Sequence, residues 1–379
     1  MLTQEEIRQK IQKEATEAHL NNPILRSTIA SSVGSGKSKI AIDRIKQLYK
    51  ANRKTKVLFT GARDVYLVNF ELECKKFKCS KGLMNNITFS TVASLNKLTE
   101  QSYDIIIYDE AHKDTKRYIE FATSQLQVNP KVEMMCLTGT PLDSRNTYLY
   151  NICPIVYKHL VEDSVNVGLV NDYRVVVVYH ELDQEKNIHV KTSKYDFYTS
   201  EKASYDRLYK NYLFREYTTS FPKELQFLKS FLKNSPTKQT LLSGLARMYD
   251  EMNDGKILVY AGSIDQATKL GYPMFNSKMK KEEKIKNFKD FVKGNINVLV
   301  DVAGIKESVS VPNLKTGIIS HIDSNPGNFE QQLGRLLRLV PNEEIGTMYV
   351  LVAKGTIEEQ WCINAFSKLD PLKIIHMEI

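Results

Sequence analysis

Ser31-Ser32-Val33-Gly34-Ser35-Gly36-Lys37-Ser38 (SSVGSGKS) is the stretch on which the reading of this chain turns. The general phosphate-loop pattern is G-x-x-x-x-G-K-[S/T]; Gly36, Lys37 and Ser38 fit it, while Ser31 stands where its first Gly belongs. Residues 24–30 before the loop form a short strand candidate, and residues 38–50 after it carry Ile42, Ile45 and Tyr49 at helical spacing. A small-residue turn between a strand and a helix lets backbone N–H groups approach phosphate oxygens, and the helix dipole favours their charge. Val33, Gly34, Ser35 and Gly36 would line such a cradle; Lys37 would reach the β- and γ-phosphates and the Ser38 hydroxyl would bind Mg2+. A Gly/Ser turn beside a solvated lysine is the plain alternative.

The pattern around the loop repeats. Residues 56–60 (KVLFT), 87–91, 104–108 (DIIIY) and 132–138 (VEMMCLT) read as strands separated by helical stretches, which implies β-α-β units and a parallel sheet. A second series follows: a strand at 173–179 (YRVVVVY), a long Tyr- and Lys-rich helical region to about Asn253, then strands at 256–260, 298–302, 316–320 and 347–352. Each is a short continuous apolar run, as expected of strands covered on both faces. The fold class is therefore α/β, in two halves that change over near residues 155–172, with domains set at 1–165 and 166–379.

Bulk properties agree with that division. A chain of 379 residues, 42% hydrophobic and 26% charged, suits two or three soluble domains. No run approaches the roughly 20 apolar residues of a membrane span, and the charged N-terminal stretch MLTQEEIRQKIQKEATEAHL lacks an apolar signal core, so a cytoplasmic protein with no membrane partner is expected. Cys74 and Cys79 lie close together in CKKFKC, but no second pair completes a zinc ligand set, and reduced structural thiols are expected. Lys and Arg outnumber Asp and Glu 53 to 44, a net charge of +9 that leans toward a polyanionic partner or records solvated lysine-rich helix faces.

A second candidate site closes the strand at 104–108: Asp109-Glu110-Ala111-His112. Strand ends of parallel sheets are where ligands bind. Asp109 there would hold Mg2+ and Glu110 would orient and activate an attacking water. An acidic helix cap explains one acid at this place but not an acid pair in a chain that also carries a phosphate loop.

SSVGSGKS, YDEAHK, CLTGTP and QQLGRLLR together resemble motifs I, II, III and VI of the superfamily 2 helicases, in that order and over nearly the whole chain. Within the superfamily, the compact length and DEAH box look most like the DNA helicases and translocases related to phage UvsW and to restriction-enzyme motor subunits. The resemblance implies two tandem RecA-like P-loop NTPase domains with the ATP site in the cleft between them, ATP and Mg2+ as ligands, and DNA, or alternatively RNA, as the track. The family's motif I often reads APTGSGKT, so Ser31 falls on its Ala and needs no glycine. Lys37, Asp109 and Glu110 match the catalytic positions of the first domain, with Ser38 and Asp109 on the metal. Gln331, Arg335 and Arg338 match the second-domain motif, with both arginines as fingers; their i, i+3 spacing also suits a plain basic helix face. Thr138 and Thr140, with His112, match the residues that couple the ATP site to the domain interface.

Weaker matches fill the gaps. Gln12 lies where the family reads adenine, though a solvated helix glutamine is the alternative. Arg63 in LFTGARD, Thr91, Ser263 and Ser308 fall at nucleic-acid contact positions. In VLVDVAGIKESVSVPNL, compared with the family's VLVATDVLAEGLDIP, Glu307 and Pro312 fit, while Val302 replaces Thr, Ser308 replaces Gly and Ser310 replaces Asp. Those changes favour a rival reading, a catalytically weak binding subunit. The chain is expected to be a monomer, and the lack of a wedge or specificity domain leaves room for a recruiting protein partner.

Overall fold

The structure, a computed structural model, describes residues 2–32, 34–113, 115–141, 147–191, 195–216, 221–302, 311, 313–337 and 345–379. It divides into two compact units, Met1–Val170 and Asn171–Ile379. The first unit includes the helix Val161–Asn166.

The first unit runs α1 (Gln4–Leu20), β1 (Arg26–Ser31), α2 (Lys37–Ala51), β2 (Val57–Gly61), α3 (Asp64–Lys76), α4 (Lys81–Asn85), β3 (Ile87–Thr91), β4 (Ile105–Asp109), α5 (Thr115–Val128), β5 (Glu133–Thr138), α6 (Thr147–Ile152), β6 (Ile155–His159) and α7 (Val161–Asn166). Its six strands form one parallel sheet in the order β3-β2-β4-β5-β1-β6. Side chains alternate between two buried faces. Ile105, Ile107 and Phe59 join Ile40, Ile42 and Ile45 of α2 on one face; Ile106, Tyr108 and Leu58 join Tyr118 and Phe121 of α5 on the other. Two apolar faces explain why these strands read as continuous apolar runs. The N-terminus of α1 is fixed by a capping box, in which Thr3 Oγ1 accepts from Glu6 N–H at 3.3 Å and Glu6 Oε2 accepts from Thr3 N–H at 2.7 Å.

The second unit runs β7 (Tyr173–His180), β8 (Ile188–Lys191), β9 (Asp196–Thr199), α8 (Glu201–Glu216), α9 (Phe221–Lys233), α10 (Pro236–Met252), β10 (Lys256–Tyr260), α11 (Ile264–Leu270), β11 (Met274–Asn276), α12 (Lys281–Lys293), β12 (Val298–Val302), β13 (Leu314–Ile319), α13 (Pro326–Leu336), β14 (Gly346–Ala353), α14 (Ile357–Ala365) and β15 (Ile374–Glu378). Seven of its strands form a second parallel sheet, β11-β12-β10-β13-β14-β7-β15. The segment expected as one long helical region opens instead with the antiparallel hairpin β8–β9, followed by α8, α9 and α10. Ser235 and Pro236 separate the last two: the Ser235 hydroxyl caps α10 and Pro236 occupies its first turn.

All five cysteines are free thiols, and burial pushes the Cys74 thiol up to about 12. Among the described residues no helix is long and apolar enough to cross a membrane.

Candidate nucleotide site

Strand order brings the sequence candidates of the first unit to one edge. β5 lies between β1 and β4, with Ala30 opposite Thr138 and Leu137 opposite Asp109. All three strands are parallel, so the ends of SSVGSGKS, DEAH and LTGTP emerge side by side at their carboxyl ends, the edge where open α/β sheets bind ligands.

The loop is built around a backbone that glycine permits. Gly34 and Gly36 have φ of 89° and 87°, in the left-handed region, and Gly36 stands as the first cap of α2. A side chain at Gly36 would also collide with Gln12, whose Nε2 lies 2.2 Å from where its Cβ would be. Gln12 Nε2 donates to Ser35 O at 3.1 Å, and Arg8 Nε donates to Gly34 O at 3.1 Å. Helix α1 therefore clasps the loop through two carbonyls. Gln12 is neither purely solvated nor aimed away from the loop, and Arg8 is a participant that sequence reading did not single out. Inside the loop, Ser35 Oγ donates to Ser32 O at 2.8 Å, and Ser32 Oγ meets Ser164 Oγ of α7 at 2.5 Å. Lys37 Nζ folds back to donate to Ser31 O at 2.9 Å, and lies 3.5 Å from where a Cβ of Gly139 would be. The ammonium thus sits between the loop and LTGTP. Val33 lies outside the described residues.

A buried network anchors this clasp. His19 of α1 bonds Ser27 Oγ of β1 at 2.6 Å and Glu133 Oε1 of β5 at 2.8 Å, and Arg44 of α2 grips Glu133 through two donors at 2.7 Å. Burial would raise Glu133, but the Arg44 and His19 bonds hold its carboxyl below the usual value.

At the end of β4 the acids are set by the backbone. Glu110 adopts φ of 51°, and its N–H donates to Asp109 Oδ1 at 3.0 Å. Burial, then the neighbouring Glu110 carboxylate, pushes Asp109 up to about 7, against the charges of Lys37 and Lys113. Asp109 and Glu110, crowded at a strand end near the Lys37 ammonium, are a donor pair that a divalent cation fits, because its charge offsets both the burial of the Asp109 carboxylate and its repulsion by Glu110, and Ser38 stands in the first turn of α2. His112 Nδ1 bonds Thr138 Oγ1 at 3.0 Å and lies 3.4 Å from Glu110 Oε2. Thr138 Oγ1 donates to Thr140 O at 3.0 Å and accepts from Thr140 N–H at 3.1 Å. A chain of polar contacts thus runs from Glu110 through His112 and Thr138 to Thr140. Lys113 Nζ donates to Tyr66 OH at 2.7 Å, tying the acid segment to α3, just beyond Arg63.

The nucleic-acid candidates of this unit share the same edge. Thr91 pairs with Gly61, which pairs in turn with Asp109, and exposed Arg63 follows two residues after Gly61. In the second unit Ser263 caps α11, its Oγ accepting from Gln266 N–H at 3.1 Å and donating to Asn234 Oδ1 at 2.5 Å. Gln331 and Arg335 lie on α13; Arg335 is buried in its last turn, and its charge and that of Asp301 both act on the Tyr260 hydroxyl. Arg338, Ser308 and Ser310 lie outside the described residues, whereas Val302 ends β12.

Sequence reading also passed over a buried cluster at the strand ends of the second sheet. Lys238 Nζ bonds both oxygens of Glu358 at 2.7 Å, His321 Nδ1 lies 2.9 Å from Glu358 Oε1, and Ala353 N–H donates to Glu358 Oε2 at 3.0 Å. Burial would raise Glu358, but Lys238 and His321 bring it down to about 2. Nothing in local sequence separates these side chains from surface ones.

Residues 3–143 match the family described as type III restriction enzyme, res subunit, and residues 237–340 match the helicase conserved C-terminal domain. The chain is 24% identical over 303 residues to the DNA 3'-5' translocase XPB2 of Sulfurisphaera tokodaii, a match that covers 72% of this chain and 64% of that protein. It therefore spans less than two thirds of that relative's length. Among solved structures, the ATP-dependent Type ISP restriction-modification enzyme LlaBIII bound to DNA superposes with a TM-score of 0.64 at 13% identity, covering 97% of this chain and 31% of that one. A putative HsdR subunit of a type I restriction enzyme from Vibrio vulnificus gives 0.64 at 17% identity, covering 98% and 67%. S. cerevisiae Dbp5 bound to RNA and ADP BeF3 gives 0.58 at 13% identity, covering 97% and 89%. At these identities the structural likeness speaks for the fold: two sheets of parallel strands flanked by helices, as in tandem RecA-like domains.

Proposed function

Because this chain belongs to the superfamily 2 helicases, we propose that it is a nucleic-acid-dependent ATPase that uses hydrolysis to translocate along, unwind or remodel DNA. The observation that carries the reading is the meeting of Lys37, the Asp109–Glu110 pair and the His112–Thr138 contact at adjacent strand ends. In this reading the N–H groups of residues 33–36 and the Lys37 ammonium hold the phosphates of ATP, and Gln12 holds the loop. Ser38 and Asp109 hold Mg2+, which when bound offsets phosphate charge. Glu110 takes the proton of the attacking water. Arg335 and Arg338 bring positive charge to the transferring phosphoryl group, and Gln331 offers its neutral amide as a hydrogen-bond partner. His112, Thr138 and Thr140 relay the state of the site toward the second domain.

DNA is the preferred track, since XPB2 is a DNA translocase and the DEAH pattern points the same way; RNA is the alternative. Contacts from Arg63, Thr91, Ser263 and Ser308 would run to phosphates and carry little sequence preference. The decisive measurement is phosphate release with single-stranded, duplex and branched DNA and with RNA, at two salt concentrations. DNA is expected to stimulate turnover, less so at the higher salt. If no nucleic acid stimulates it, the motor reading fails. The substitutions at Val302, Ser308 and Ser310 favour one rival, a binding subunit with weak coupling; it would bind DNA in the same assay without faster turnover.

A further inference from the structure

Beside the end of β10, in the second unit, the last turns of α9 carry two lysines, outside the helicase-like motifs, that meet α14 and the loop of Ser263. Lys229 and Lys233 are four residues apart and share one face of α9, about 6 Å apart along its axis. The Lys229 ammonium lies 5.3 Å from the ring centroid of Trp361, the single tryptophan of the chain. The stem of Lys233 crosses Gly262, where a Cβ would come within 2.8 Å of its Cγ; only a residue without a side chain lets the lysine lie over this strand end. Gln266 Nε2 donates to Lys233 O at 2.8 Å, and Ser263 Oγ bonds Asn234, so the end of α9 is tied to the loop that carries Ser263.

Burial lowers the Lys233 pKa from its ordinary value, and the charge of Lys229 lowers it further, against the opposing pull of Asp323. Two crowded ammonium groups, one partly desolvated, are an arrangement that an anion relieves. We propose that Lys229 and Lys233 bind consecutive backbone phosphates of a nucleic-acid strand that continues onto Ser263, with Trp361 as the ring that Lys229 leaves when it engages phosphate. The chemistry is a repeating phosphodiester: two cations about one helical turn apart, continuous with a hydroxyl at a strand end, match a chain of charges better than a single small anion. This inference rests on the nucleic-acid-dependent reading above.

The test uses the full chain without ATP and a single-stranded DNA oligonucleotide. Binding is followed by anisotropy across a salt series and by Trp361 emission. In the wild type the emission is expected to change and saturate with DNA. The double variant Lys229→Gln and Lys233→Gln is expected to bind about tenfold more weakly at low salt, with a salt slope shallower by roughly 1.4, two phosphates at about 0.7 each. Lys229→Arg with Lys233→Arg keeps both charges and is expected to bind as the wild type does. The inference is overturned if the wild type binds but the glutamine variant matches it in affinity and slope, or if emission stays constant. It is overturned equally if inorganic phosphate, at matched phosphate concentration, produces the same emission change, since that assigns a free-anion site. Failure of the wild type to bind any oligonucleotide removes the motor reading, and this inference with it.

Discussion

Glu110 is held with a φ of 51°, a region that residues with a side chain seldom enter and that costs about 1–3 kcal/mol. The strain has a geometric return: it turns the carboxylate toward His112 while its own N–H caps Asp109. Glu110→Gln keeps the shape and removes the base, so ATP binding should persist while turnover is lost; normal turnover in this variant would refute the base assignment. Lys37→Ala should abolish turnover as well. Glu110→Gly should release the strain, raising the urea midpoint by an amount equivalent to about 1 kcal/mol while turnover is lost. A lower midpoint would show that the side-chain contacts outweigh the backbone cost. Legibility at this scale was uneven. That Lys37, Asp109 and Glu110 would lie at strand ends was readable because short spacings encode local structure. The turn that Glu110 makes and the clasp of Arg8 on Gly34 were not, since they depend on how α1 and β4 are placed by the sheet.

Among elements, the core strands were the legible part. Ile105–Asp109, Lys256–Tyr260 and Val298–Val302 are buried along nearly their whole length, and their mostly apolar sequences answer to two covered faces. Edge strands such as Ile155–His159 and Ile374–Glu378 went unread because one face stays partly open and admits Lys158, His376 and Glu378. The Lys238–Glu358 pair joins residues 120 positions apart, beyond any local pattern. It pins α10 to α14, and removing one member strands the other charge in the core. Glu358→Gln should therefore cost about 3–5 kcal/mol, measured by urea unfolding near neutral pH. The sign of its pH dependence follows from the depressed carboxyl. Its contribution is complete above the ordinary value of 4.5 and is lost as pH falls toward about 2. The gap between wild type and variant should close across that window; a constant gap would assign the loss to packing.

At the scale of the molecule, the proposed motor function is tested at residues of the second unit. Arg338→Ala should slow hydrolysis far more than it weakens ATP binding, measured by single-turnover phosphate release against nucleotide affinity; equal losses would argue against a finger. Ser308→Gly with Ser310→Asp should raise DNA stimulation of turnover or leave it unchanged, and a clear drop would mean that this segment has working chemistry of its own. The order of the second sheet has a different consequence, for biosynthesis. Among the described residues β7, with four consecutive valines, finds its sheet partners in β14 and β15, late in sequence order. Among the described residues every strand of the first unit pairs within that unit, so it can close while translation continues. The valine strand keeps both edges bare on the ribosome until Gly346–Ala353 has been made, and one edge until Ile374–Glu378 follows. A growing chain stalled before Gly346 is thus a sticky object, and the segment 173–180 is where nascent-chain chaperones would be needed most.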